Sequence, residues 1–281
     1  MGKKIAIVAN KLAGGGVAVS ITNTIQQILL NKGVEFESFI EEWPLDFASF
    51  SDVWIVGGDG TLNYFINHYP DIKLPLMIFK GGTGNDFHWL LYRDCSLEEQ
   101  IEIGLAGSSK TVDAGVCNGK LFLNGLGVGF DGAVASTLQG KKKKAGKISY
   151  LIAILKMIFT FKEQLFKLKM EKREINGKLL MINIMNGKRA GGGFYVTPDA
   201  EVNDGLFQAN VVSPLSIVRR LRYLPIIEKG KHSDLSCIDY FSTSSMQIKS
   251  PQFFHAHLDG EYLTAKEIEV AILPSHFLFC Y

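Results

Sequence analysis

VGGDGTLNYF, Val56 to Phe65, closes the apolar run DVWIV with three glycines set around one carboxylate, Asp59. Glycine loses the most backbone freedom on folding, so this density is poor material for a helix or strand interior. An apolar run that ends in such a loop and resumes as TLNYFINHY reads as strand, turn, helix. Bare backbone in the turn lets N–H groups face a phosphate, and the helix N-terminus adds a field that favours anions. Asp59 would repel a bare phosphate, so this reading requires a cation between them, and magnesium suits carboxylate, water and phosphate ligands. Taken alone, the loop is equally well explained as a plain turn with an Asx hydrogen bond.

The pattern extends outward on both sides. KKIAIVAN leads through a glycine loop, AGGG, into the helical stretch VAVSITNTIQQILLNKG. VEFESFI and DVWIV read as strands, TLNYFINHY as a helix, PLMIFK as a strand, and GGTG as a turn before another helical run. Strands alternating with helices imply a Rossmann-like α/β domain with a mostly parallel sheet. Ligands of such sheets bind outside the carboxyl ends of the strands, where AGGG, GGDG and GGTG all lie. From about residue 121 the chain becomes strand-rich: LFLNGLGVGF, KEQLFKLKMEK, KLLMINIMNG, GLFQANVV, SMQIKS, FFHAHL and EIEVAIL. Only Asp131 to Gln139, residues 148–161 and Leu215 to Tyr223 look helical there. The expectation is a nucleotide-binding α/β domain over 1–120, to which the last residues of the chain could return. A β-rich, sandwich-like domain over 121–281 follows, with an active site in the cleft between the two.

Composition sets limits. At 281 residues the chain exceeds the usual size of one domain. With 47% hydrophobic and 21% charged residues it has the balance of a soluble globular enzyme. A formal net charge of +2 gives no basic field for nucleic acid. Cys95, Cys117, Cys237 and Cys280 are scattered, which argues against a zinc site or disulfide framework and fits a reducing cytoplasm. MGKKIAIVAN has no cleavage site after its apolar run and reads as a first strand rather than a signal peptide. The greasiest stretch, ISYLIAILKMIFTF, is 14 residues long and falls short of the roughly 20 that span a bilayer. Ile148, Leu151, Ile152, Leu155, Ile158 and Phe159 follow helical spacing and form one broad apolar face, either packed on a core or touching lipid. The basic run KKKKAGK, Lys141 to Lys147, just precedes it and reads either as a solvated loop or, with that helix, as a peripheral membrane contact.

GGTGNDF, Gly81 to Phe87, repeats the first loop's design one strand later. GGDGT followed by GTGNDF resembles the diacylglycerol kinase catalytic-domain family, which includes soluble bacterial lipid kinases, sphingosine kinases and ceramide kinases. VDAG (Val112 to Gly115), FLNGLGVGFDGAV (Phe122 to Val134), GGGFYVTPDAEVNDGLF (Gly191 to Phe207) and DGE (Asp259 to Glu261) extend the resemblance, in order, over essentially the whole chain. The chain departs from the family in having Lys11 where proline commonly follows Asn10, and Lys80 where proline commonly precedes the second loop.

The resemblance implies ATP and magnesium as cofactors and a lipid hydroxyl as acceptor, with diacylglycerol as the best single substrate. Nucleotide would lie over Asn10, Gly14, Gly15, Gly57, Gly58, Asp59, Gly60, Thr61, Gly82, Thr83, Gly84, Asn85 and Asp86, with Lys80 beside them. Asp59, Asp86 and Asp113 would hold hydrated magnesium directly or through water. Glu261 would take the hydroxyl proton, with Asp259 assisting or orienting. Asp259-Gly260 is also a good two-residue hairpin turn between FFHAHL and EYLTAK. His255 and His257 would share one face of that strand and read as polar wall rather than as a metal site. In AEVND, Glu201, Asp204 and the Leu206 carbonyl would hold a structural magnesium, or the segment is a plain Asn-Asp-Gly turn. The implied location is cytoplasmic and peripheral to the inner membrane face; a homodimer remains open. Two rivals stand beside this reading. An NAD kinase-like enzyme shares GGDGT but is disfavoured by GTGNDF and DGE. A lipid-binding module that kept the fold without catalysis is disfavoured by the full acidic set.

Overall fold

A computed structural model describes residues 3–139 and 146–281, with the side chains of 146 and 147 left out. It divides into two compact units, the first over 1–112 with 275–281 and the second over 113–274.

The first unit is built on apolar runs buried along their length. Strands β1 (Lys4–Ala9), β2 (Glu35–Phe39), β3 (Asp52–Gly57) and β4 (Leu76–Lys80) pair in parallel in the order β2-β1-β3-β4. All six residues of β3 are buried, the pattern of a parallel strand covered on both faces. Helix α1 (Val17–Asn31) follows β1 and buries Ala18, Thr22, Ile25 and Leu29, one stripe at helical spacing. Helix α2 (Asp59–His68) buries Thr61, Leu62, Phe65 and Ile66 in the same way. Helix α3 (Asp86–Tyr92) follows β4, and α4 (Leu97–Ala106) opens on a Ser96–Glu99 capping box. Within α4, a Cβ at Gly104 would stand 2.3 Å from the Met77 sulfur, so glycine is what lets the helix lie this close to the sheet. Strand β5 (Lys110–Cys117) carries the chain into the second unit.

The second unit comprises β6 (Lys120–Phe122), β7 (Gly125–Gly129), α5 (Phe130–Leu138), α6 (Gly146–Thr160), β8 (Gln164–Lys169), β9 (Glu174–Leu179), β10 (Met181–Met185), β11 (Phe207–Val212), α7 (Ile217–Glu228), β12 (Ile238–Thr243), β13 (Ser245–Leu258) and β14 (Glu261–Phe279). Its strands run antiparallel in the order β12-β11-β10-β7-β13-β14, and the β8–β9 hairpin adds to β13. The end of β14 lies in the first unit, where Phe279 pairs with Leu76. SMQIKS and FFHAHL belong to one strand, not two. The ladder to β14 slips between Lys249 and Phe254, where Pro251 has no N–H to give it.

Helix α6 corrects the expected apolar face. Ala153, Ile154 and Ile158 are buried, packed with Val134, Phe194 and Val196, while Ile148, Ile152, Leu155 and Phe159 face outward. The basic run Lys141–Lys147 lies outside the residues whose side chains are described.

One row across this sheet is polar. Registers align Asn210 with Asn183, Asn183 with Gly127, Gly127 with His257, and His257 with Tyr262. The gap at Gly127 is filled from its neighbours: a Cβ there would stand 2.4 Å from His257 Nε2 and 2.5 Å from Asp131 Oδ2. These two side chains are buried and meet at 3.0 Å. Burial alone would raise the Asp131 pKa, but the His257 charge and hydrogen bond, with the Tyr150 hydroxyl, hold it below its ordinary value. Burial alone would lower His257, but the charge and hydrogen bond of Asp131, with the Asp259 charge, raise it.

Gly127→Ala should therefore force the pair apart and cost about 3–5 kcal/mol, the scale of a broken buried ion pair. The raised His257 contributes fully below its ordinary 6.5 and loses that contribution as pH climbs through its folded value. The lowered Asp131 contributes fully above its ordinary 3.8 and loses it as pH falls through its folded value. The stability gap between wild type and variant, measured by urea unfolding, should be widest between these ordinary values and shrink on either side. A gap independent of pH would refute the ion-pair account.

Candidate functional site

In the first unit, three glycine loops are locked to one another through bare backbone. A Cβ at Gly82 would lie 2.5 Å from Gly58 Cα, and one at Gly14 would lie 2.5 Å from Gly81 O. Gly81 N–H donates to Gly57 O at 2.8 Å. Asn10 donates from Nδ2 to Thr61 Oγ1 at 3.2 Å and accepts the Leu12 N–H at 3.0 Å, so it ties the first loop to the second. Asn85, left-handed at φ +54°, folds the third loop by exchanging two hydrogen bonds with the Gly82 backbone.

Asp59 bridges two of these loops. Its Oδ2 accepts the Asp86 N–H at 3.2 Å and its Oδ1 the Phe87 N–H at 3.1 Å, so it caps the first turn of α3 from another segment. The start of α1 is claimed differently. Gly14, Gly15 and Gly16 all have positive φ, no side chain caps the helix, and its first turn holds no acidic residue. A Cβ at Gly15 or Gly16 would meet nothing within 4 Å. Lys80, exposed at the end of β4, pairs in register with Gly57 beside the same loops. Close-packed bare backbone, an uncapped helix start and a nearby cation fit a nucleotide's phosphates. The carboxylates of Asp59 and Asp86 suit a hydrated divalent cation there, since a carboxylate offers about four lone-pair sites and Asp59 spends two.

In the second unit the DGE motif sits on a tight turn. Leu258 pairs with Glu261, and Asp259 and Gly260 between them have φ of +47° and +86°. Both positive values are what a two-residue Asp-Gly hairpin requires. The Asp259 carboxylate accepts the N–H groups of Leu123, Asn124 and Gly125 at 2.8–2.9 Å, and its own N–H donates to Gly125 O. Gly260 N–H donates to His257 Nδ1 at 3.2 Å, so the His257–Asp131 pair braces the turn from the other side. Glu261 is exposed and has no hydrogen-bond or ion-pair partner among the described residues.

Two buried asparagines, absent from the sequence reading, complete this frame. Asn186 donates to Asp113 O and Leu123 O, both at 3.0 Å, and the Asn186 and Gly187 N–H groups donate to Asn124 O. Asn124 donates in turn to Arg189 O at 2.7 Å. Their only sequence signal was the repeated Asn-Gly of FLNG and IMNG, which reads as turn punctuation. Asp113 faces this frame: its Oδ2 accepts the Gly205 N–H at 2.7 Å, and its side chain is buried. Asp204 accepts the Leu206 N–H at 2.9 Å, an Asx turn, while Glu201 is exposed. His255, His257 and Asp259 do not converge: they go to Tyr262, to Asp131 and to backbone amides respectively. Among the described residues no group of three or more His, Cys, Asp or Glu side chains could hold a metal.

Beside this frame lies a cavity of about 90 Å³ between the sheet and helices α6 and α7. Its walls are apolar, with Phe130, Ile154, Ile158, Val196 and Leu224 among them, and its polar side chains include Asp131, Asn183 and Arg220.

The family described as "Diacylglycerol kinase catalytic domain" matches residues 4–117, and the "YegS C-terminal NAD kinase beta sandwich-like domain" matches residues 124–279. A probable lipid kinase YegS-like protein of Yersinia pestis is 30% identical over 231 residues, covering 80% of this chain and 76% of its own. A diacylglycerol kinase of Mycobacterium tuberculosis is 25% identical, with 97% and 93% covered. A putative diacylglycerol kinase structure from Bacillus anthracis superposes with a TM-score of 0.81 at 24% identity, covering 99% and 97%. An Archaeoglobus fulgidus NAD kinase structure shares the fold more distantly, at a TM-score of 0.57 and 15% identity, covering 99% and 93%. Alternating strands and glycine loops in one unit, and a braced DGE turn in an antiparallel second unit, thus have a shared origin: the chain belongs to the YegS-like lipid kinases of the diacylglycerol kinase catalytic-domain family.

Proposed function

We propose that the protein transfers the γ-phosphoryl group of ATP to a lipid hydroxyl, with diacylglycerol, giving phosphatidic acid, as the substrate its relatives' names favour. The observation that carries the lipid acceptor is the apolar cavity of the second unit. It ends at Asp131, which bonds His257, which in turn holds Gly260 of the DGE turn.

When bound, ATP supplies the phosphoryl group and magnesium offsets the charge of the phosphates. Gly14 to Gly16, the start of α1, Asn10, Thr83 and Lys80 receive the phosphates. Asp59, through the lone pairs its two backbone contacts leave over, and Asp86 would hold the cation. Glu261 accepts the proton of the lipid hydroxyl. Asp259 and Asp113 act by position, since their carboxylates accept backbone N–H groups of the frame. Occupation of the Glu201, Asp204 and Leu206 carbonyl site by magnesium is part of the same proposal.

Glu261→Gln should lower ATP-dependent phosphorylation of dispersed diacylglycerol by roughly 10²–10⁴-fold, the range of a lost general base. Nucleotide affinity should persist, and Asp59→Ala serves as the inactive control. Undiminished turnover in Glu261→Gln would reject that role. Lys80→Met should raise KM for ATP with little change in kcat.

The acceptor lives in a membrane, and the second unit has a face suited to one. Ile148, Ile152 and Phe159 of α6 are each more than 60% exposed, and α7 beside it exposes Val218, Arg219 and Arg222. No helix among the described residues is long and apolar enough to cross a membrane. With Lys141 to Lys144 adjacent in sequence, each basic residue is worth about 1 kcal/mol near an anionic leaflet. Binding to phosphatidylserine-containing vesicles should exceed binding to phosphatidylcholine vesicles and fall on charge reversal of Lys141–Lys144 or on Phe159→Ser. Binding indifferent to both lipid charge and these changes would reject the membrane face.

A further inference from the structure

The apolar cavity contains one polar atom that the fold leaves unmet. Asn210 Nδ2 donates to Val196 O at 2.9 Å, which turns the Asn210 amide oxygen toward Asn183. Asn183 Nδ2 donates to that oxygen at 3.0 Å. This chain of donors fixes both amides, because flipping either would set two oxygens against each other. Asn183 Oδ1 is thereby left as an acceptor without a partner, on a side chain 1% exposed that lines the cavity.

The other charged side chains of the lining are committed. Arg220 donates to the carbonyls of Leu215, Ile158 and Phe161 and to the Glu163 carboxylate. Asp131 accepts from Tyr150 at 2.8 Å and pairs with His257. Asn183 sits opposite Gly127, over whose bare Cα the Asp131 carboxylate lies. Directly opposite residues of an antiparallel pair are about 4.5–5.5 Å apart at Cα, so the open acceptor belongs to the Asp131 end of the cavity. Near 90 Å³, the cavity is far below the roughly 300–1,000 Å³ of a drug-sized ligand's pocket, so it takes part of one chain rather than a whole lipid.

We infer that the cavity binds part of a single hydrocarbon chain whose polar end carries, besides the reacting hydroxyl, a second hydrogen-bond donor such as an amide N–H, and that Asn183 Oδ1 accepts from it. The inference rests on the lipid-hydroxyl reading and narrows it. Acceptors with a donor besides the reacting hydroxyl are preferred to acceptors joined only by esters, diacylglycerol among them, so an amide-bearing lipid ranks above the substrate the relatives' names favour. A site built with an unmet acceptor discriminates strongly, because an ester oxygen placed there leaves that acceptor unpaired.

The test uses two probes that differ in one atom group. N-oleoylethanolamine and ethylene glycol mono-oleate share the primary hydroxyl, carbonyl and chain; one has an amide N–H where the other has an ester oxygen. Binding to the purified protein is measured by displacement of a fluorescent fatty alcohol, and ATP-dependent turnover is measured in parallel. Wild type should bind the amide about 5- to 100-fold more tightly. Asn183→Leu, shown to be folded by its melting curve, should bring the ratio near one; Asn183→Ala serves where the leucine variant does not fold. Equal binding of the two probes by wild type would overturn the inference and assign the Asn183 oxygen to a water. So would a preference that survives in the folded variant. Amide-selective binding without turnover of either probe or of dispersed diacylglycerol would uphold the inference and remove the kinase reading, whereas unselective turnover would do the reverse.

Discussion

The Asp259 carboxylate, bonded to three consecutive backbone N–H groups, is the contact on which the second unit's functional surface depends. A hydrogen bond to a charged group is worth about 1.5–3 kcal/mol, and three of them leave the carboxylate little freedom. They fasten the β13–β14 turn to the segment joining β6 and β7. The carbonyls of that segment are in turn held by Asn186, which also holds the strand bearing Asp113. The Glu261 side chain can stand exposed and without a partner among the described residues because Asp259, with the Gly260 contact to His257, anchors the turn. The first unit uses the same device: Asp59 gives its carboxylate to the amides opening α3, and so fixes the distance between two phosphate-type loops. In both units an acid that sequence alone assigns to chemistry first does mechanical work on backbone.

How far the sequence could be read follows from how one-sided each signal was. VWIV and LMIF are uninterrupted apolar runs, and only a strand covered on both faces buries them entirely. The glycine loops at their ends were legible because glycine is costly where nothing requires it, and here Gly58 and Gly82 are required by backbone contact at less than 3 Å. The Asp-Gly turn was equally legible, since few dipeptides accept two positive φ values.

The failures share a cause: the deciding partner is remote in sequence. The apolar face of residues 148–161 is broad, so spacing could not say which stripe of it packs inward, and Ala153 and Ile154 do so while Ile152 and Phe159 do not. Asn124 and Asn186 were read only as members of strand-like runs because their partners, Arg189, Leu123 and Asp113, come from other segments.

The absence of a side chain at Gly127 has a larger consequence. Any Cβ there would collide with both members of the Asp131–His257 pair, so the glycine decides that a polar link crosses an otherwise apolar sheet. On one side of that link is a cavity with an unmet acceptor, and on the other a turn whose Gly260 N–H leans on His257. Asp131 draws a proton onto the imidazole, while the Gly260 N–H needs its Nδ1 lone pair, so the two contacts pull the ring toward different charge states. A ligand that alters the surroundings of Asp131 from within the cavity therefore changes the balance at His257, and with it the hold on the residue preceding Glu261. The lining of the cavity and the DGE turn are thus joined through one buried pair, with no loop or lid needed to connect them.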